Sequence, residues 1–118
     1  MRSTATSVYD HAGSLARMGQ DLALFKEMAG FLANDGRRYL DEVKAALCSK
    51  NAVCAKERAH ALKGIISNFG GSRAWLAAER VEGLARAGKL EEASSCLAEL
   101  ELAFAELLDA LRPYLAAG

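Results

Sequence analysis

Apolar residues recur along this chain at steps of three and four, the repeat of a helix with one buried face. The longest run is Leu90, Ala93, Leu97, Leu100, Phe104, Leu107, Leu111 and Tyr114, and it predicts a long helix that Pro113 ends or kinks. Ala74, Ala77, Val81 and Leu84 form the stripe before it, and Ala55, Ala59, Leu62, Ile66 and Phe69 the one before that. Leu40, Val43 and Leu47 mark a further helix, and Leu22, Phe25, Ala29 and Leu32 another. A short helical turn is expected between Asp10 and Met18, with Leu15 and Met18 as its apolar contacts.

Polar and glycine positions divide these stripes. Asp21 and Asn51 are suited to cap the helices that follow them, and Ser72 can cap another. Gly70-Gly71 and Ala87-Gly88 are stop signals, and Asn34-Asp35-Gly36 is a turn or kink signal. No alternating stretch competes as a strand. The expected fold is all-α: an antiparallel four-helix bundle, roughly 35–49, 52–70, 72–87 and 89–115. An additional N-terminal capping helix is expected at about 20–33, packed against the bundle as a cap or running on into the first of these. Residues 1–7 are expected to be a flexible N-terminus, and 8–118 one domain.

Composition narrows the class. With 118 residues the chain can bury a core without disulfide or metal staples. Fifteen basic residues balance fifteen acidic ones, and no dense Lys/Arg cluster suggests nucleic acid as a partner. Arg37-Arg38 reads as a solvated helix face. No apolar run approaches the roughly 20 residues needed to span a bilayer, and the first residues lack an apolar signal stretch. No membrane association and a cytoplasmic location are the resulting expectations. Cys48, Cys54 and Cys96 have no CxxC spacing and read as small buried or half-buried residues.

Candidate chemistry lies on the 52–70 helix. At 100° per residue, His60 points about 150° away from the centre of that helix's apolar stripe, so it faces solvent or a groove rim. Lys63 and Gly64 follow by about 4.5 and 6 Å along the axis and flank the same direction. Lys63 can reach back to an anionic group on the imidazole. A glycine inside a helix costs about 1 kcal/mol relative to alanine, and beside an exposed histidine it suggests clearance for another protein. Neutral imidazole is a nucleophile near neutral pH, and its attack on phosphorus yields a phosphoramidate that can pass the group onward. His11 has no comparable setting and reads as an ordinary surface residue.

The segment Ala59-His60-Ala61-Leu62-Lys63-Gly64-Ile65-Ile66-Ser67-Asn68-Phe69-Gly70 resembles the signature of histidine-containing phosphotransfer (HPt) domains: histidine, a hydrophobic residue, lysine, glycine, then a hydrophobic–glycine pair. Gly19-Gln20-Asp21 with Leu22, Phe25, Glu27 and Phe31 resembles the family's N-terminal helix, and Val81-Glu82 its Leu-Glu pair. The likeness covers about residues 8 to 115, the histidine segment being its specific part. Trp75 departs from it, standing where a smaller aliphatic residue is usual; it is expected to fill volume near the glycine turn.

The resemblance implies phosphorylation at Nε2 of His60 in a two-component phosphorelay, with Lys63 and Gly64 supporting the phosphoryl group and docking. It also implies that Glu82 orients the imidazole by accepting a hydrogen bond from Nδ1–H; the alternative for Glu82 is an ordinary surface charge. Ser67 and Asn68 are candidates for the docking surface. The implied partners are a response-regulator receiver domain and a sensor or hybrid histidine kinase, the chain itself being a monomeric phosphoryl carrier and not an enzyme. No cofactor and no metal are expected on this chain; the Mg²⁺ that phosphoryl transfer commonly uses is expected in the receiver. A competing reading is a helical interaction module that docks to a signalling partner without phosphotransfer. A helical-bundle enzyme or metal carrier is disfavoured by two distant histidines and the lack of a Glu-x-x-His motif.

Overall fold

In the computed structural model, which describes residues 8–70 and 73–115, the described residues are helical and contain no strand. Six α-helices follow in order: α1 His11–Arg17, α2 Leu22–Phe31, α3 Arg37–Cys48, α4 Ala52–Ile66, α5 Arg73–Arg86 and α6 Leu90–Leu111. The expectations for residues 1–7 and for a cap at Ser72 lie outside the described residues. The carboxylate of Asp21 accepts from the backbone N–H of Leu24 at 3.1 Å, and the side-chain oxygen of Asn51 accepts from that of Cys54 at 3.0 Å. Both satisfy donors that the first helical turn leaves without a partner.

The stripes become the core. Phe25, Leu62, Leu100, Phe104, Leu107 and Leu111 are fully buried, and Ala55, Ala59, Ala78 and Ala93 lie between them. Helix α4 packs against α3 and α5, α5 against α6, and α6 against α3. The alanines buried on α4 (Ala55, Ala59) and on α5 (Ala74, Ala78, Ala85) keep both helices slender, and small side chains let helix axes approach closely. That proximity allows a carboxylate on one helix to meet side chains on the other.

Several expectations change. Asn34-Asp35-Gly36 does not break the chain: residues Leu32–Gly36 form one wide π turn that joins α2 to α3 without leaving the helical path. Gly36 is required by packing there. A β-carbon on it would sit 2.9 Å from Cζ of the buried Phe104. Leu22, the first residue of the α2 stripe, is 46% exposed rather than buried, because it lies in the first turn, ahead of the buried Phe25. Helix α4 ends at Ile66 and tightens into a 3-10 turn over Ser67–Phe69, and Gly70 follows at φ +82°, a left-handed conformation that glycine tolerates. Pro113 lies in a second 3-10 turn, Arg112–Tyr114, that closes α6. Cys48 is exposed at the end of α3, whereas Cys54 and Cys96 are half-buried.

The N-terminal segment is fastened to the end of α4. Asp10 N–H donates to the Phe69 carbonyl at 2.8 Å, and Arg17 Nη2 to the Asn68 carbonyl at 3.2 Å. Tyr9, Phe25 and Tyr114 pack around the ring of His11, whose Nδ1 lies 2.9 Å from Tyr9 Oη, and Phe69 packs in turn against Tyr9 and Phe25. His11 is therefore half-buried in an aromatic cluster rather than an ordinary surface residue. No described helix is long and apolar enough to cross a membrane.

Candidate functional site

His60 emerges from the third turn of α4 with its side chain 68% exposed. Its helical neighbours Ala59 and Leu62 are buried, so the backbone beneath the ring is anchored while the ring stands in solvent. Across the seam, α5 contributes Glu82, a carboxylate that is only 3% exposed. Nδ1 of His60 lies 3.0 Å from Glu82 Oε2. With Glu82 ionised, Nδ1 carries the proton and donates it to that hydrogen bond. Nε2, on the opposite edge of the ring, retains its lone pair.

A buried carboxylate needs partners to offset its lost hydration. Glu82 has three. Besides His60, Arg86 Nη2 donates to Oε2 at 2.7 Å, and Lys63 Nζ forms an ion pair with Oε1 at 2.9 Å. Burial pushes the Glu82 carboxyl up, but Lys63 and His60 outweigh it and hold the group below its ordinary value of 4.5. Glu82 therefore remains an acceptor near neutral pH. The alternative of an ordinary surface charge does not describe this residue.

Lys63 does not lie where the helix spacing alone suggests. Its side chain is 20% exposed, and its ammonium is drawn to Glu82 and over the Trp75 ring, 5.4 Å from the centroid, rather than back along α4 beyond His60. The cations beside the ring are others. A shallow hollow of about 390 Å³ is lined by Lys56, Glu57, His60, Glu82 and Arg86. Lys56 lies one turn before His60, and Arg86 lies one turn after Glu82. These helical spacings carry the only sequence signal for either residue, and they become legible only once His60 and Glu82 are singled out.

Gly64 is exposed, and a β-carbon built on it would meet nothing within 4 Å. Nothing within the chain demands glycine here. Ser67 is exposed, and its hydroxyl is turned inward to the Gly64 carbonyl at 2.6 Å. Asn68 is half-buried, with its carbonyl engaged by Arg17. A wider groove of about 710 Å³ runs between α5 and α6, but it holds no histidine, and its Arg73 is already paired with Glu99 and Glu106. Among the described residues no group of three or more His, Cys, Asp and Glu side chains is placed to hold a metal ion.

Chemically, the arrangement offers an accessible nitrogen nucleophile of fixed tautomer, a buried anion behind it, and cations that can meet added negative charge. No protein-family model, curated protein or solved structure matches this chain.

Proposed function

We propose that this chain is a histidine phosphotransfer domain of a two-component phosphorelay. In this reading α3 to α6 constitute an antiparallel four-helix bundle, with α2 as its cap. His60 exchanges a phosphoryl group with an aspartate of a response-regulator receiver domain. Nε2 attacks the phosphorus of the aspartyl phosphate, a P–N bond forms, and the P–O bond breaks with its electron pair returning to the aspartate carboxylate. The reverse sequence of bonds discharges the domain. Nδ1 keeps its proton throughout, held by Glu82 at 3.0 Å.

The observation that carries this reading is the pairing of a 68%-exposed imidazole with a buried carboxylate on Nδ1. A carboxylate there stabilises the positive charge that the ring acquires when its second nitrogen is phosphorylated. The clearance at Gly64 supports it, since α4 bears a glycine in its last turn for which its own packing gives no reason. The Mg²⁺ that balances charge during transfer belongs, in this reading, to the receiver. The upstream partner is a sensor or hybrid histidine kinase, and the domain works as a monomer in the cytoplasm.

The test is incubation of the purified chain with a receiver domain radiolabelled as its aspartyl phosphate. An acid-labile, base-stable label on the chain is expected, and His60→Gln abolishes it without altering the helical circular dichroism. Label that persists unchanged in His60→Gln would reject His60 as the acceptor. No label on the wild-type chain from any receiver of the source organism would favour docking without transfer.

A further inference from the structure

Trp75 is the sole tryptophan of the chain and lies in the first turn of α5, half-buried against the core. Its indole faces the Lys63 ammonium at 5.4 Å from the ring centroid, within cation–π range. The same ammonium is 2.9 Å from Glu82 Oε1. Lys63 is thus bounded on one side by an anion and on another by an aromatic face, and it does not line the hollow beside His60. A lysine stem has four rotatable bonds and carries a point charge, so an ion pair by itself leaves the position of the ammonium loosely defined. The indole reduces that freedom by covering the ammonium where water would otherwise compete.

We propose that Trp75 is a positioning residue, clamping the Lys63 ammonium onto Glu82 Oε1 and thereby leaving Oε2 to His60 and Arg86. The two carboxylate oxygens then have separate duties. Oε1 is neutralised by a lysine kept from solvent, and Oε2 orients the imidazole. With Lys63 committed to Glu82, Arg86 and Lys56 are the cations that border the hollow next to the ring. For the consequence at a phosphorylated ring the proposal rests on the phosphotransfer reading of His60; for the clamp itself it does not.

The clamp is measurable on the unmodified full chain by ¹⁵N nuclear magnetic resonance of the lysine ammonium groups. Trp75→Leu is expected to raise the hydrogen-exchange rate of the Lys63 ammonium by about two- to fivefold, the population change that a cation–π contact of ordinary strength supports. Trp75→Phe, which keeps an aromatic face, is expected to restore most of the wild-type rate. Equal rates in wild type and Trp75→Leu would overturn the proposal. Lys63→Gln supplies a second reading that leaves the tryptophan in place: it is expected to shift the Trp75 fluorescence maximum, and an unshifted maximum counts against the clamp. Charging His60 with phosphoramidate, a small phosphoryl donor, separates the two ideas. Failure to charge would speak against the phosphotransfer reading, while the exchange comparison still decides the role of Trp75.

Discussion

Glu82 Oε2 accepts a hydrogen bond from His60 Nδ1 at 3.0 Å, across the seam between two helices and 22 residues along the chain. One member is almost fully buried and the other mostly exposed. That asymmetry makes the pair directional: the carboxylate is immobilised by packing and by Arg86 and Lys63, and it in turn fixes the ring.

Removing the carboxylate should therefore affect the ring more than the fold. Glu82→Ala leaves Lys63 and Arg86 without their anion, but Arg86 is 62% exposed and water can replace the lost partner. The expected cost in stability is about 1–3 kcal/mol, within the ordinary range for loss of a buried polar contact. Transfer from a phosphorylated receiver should slow by about tenfold or more, as for other partners that orient a histidine. Transfer at the wild-type rate, together with an unchanged Nδ1–H tautomer in ¹⁵N spectra, would show that Glu82 does not orient the imidazole.

The same carboxylate makes stability depend on pH. Its folded value lies below the ordinary 4.5, so its stabilising contribution is complete above that value and is lost as pH falls through the depressed folded one. Urea unfolding of wild type and Glu82→Gln over about pH 6 to 3 should show the wild-type advantage shrinking in the acid range. An advantage that stays constant with pH would contradict the ionised, paired state of Glu82.

Gly64 should separate stability from activity. The site is open, so Gly64→Gln fits without strain and gains helix propensity, raising stability by up to about 1 kcal/mol. Phosphotransfer with a receiver should nonetheless slow, because the added side chain occupies the approach beside His60. Thermal melts and transfer rates on the same preparation check both signs. Undiminished transfer would remove the clearance argument.

Gly36 should behave in the opposite way. A β-carbon at this position meets Phe104 Cζ at 2.9 Å, and that ring is fully buried. Gly36→Ala is expected to lose about 1–3 kcal/mol through overpacking, despite alanine's better helix propensity. Phe104→Leu in the same chain should recover part of the loss, and a double-mutant cycle measures the coupling. Additive effects would place the cost of Gly36→Ala elsewhere.

Much of the helical order was readable from spacing. The stripes Ala55–Phe69 and Ala93–Leu111 are buried along their lengths, and Asp21 and Asn51 cap the helices they precede. The wheel also placed His60 outside. Local chemistry misled at Asn34-Asp35-Gly36, where turn-forming residues lie inside a continuous helical path because the π turn accommodates Gly36 against Phe104. It misled again at His11, whose ring packs not only against the neighbouring Tyr9 but against Phe25 of α2 and Tyr114, which only the fold brings to it.

Periodicity alone thus determined which segments are helices, which faces they bury and that His60 points outward, since each depends on residues within a turn or two of one another. Only the tertiary structure decided where charge goes. Glu82 became a buried acceptor, Lys63 its clamped counter-ion and Arg86 a neighbour of the imidazole because two alanine-lined helices approach closely. Electrostatic partners are chosen by distance and desolvation through space, and a helical repeat within one segment carries no record of what the next segment brings alongside.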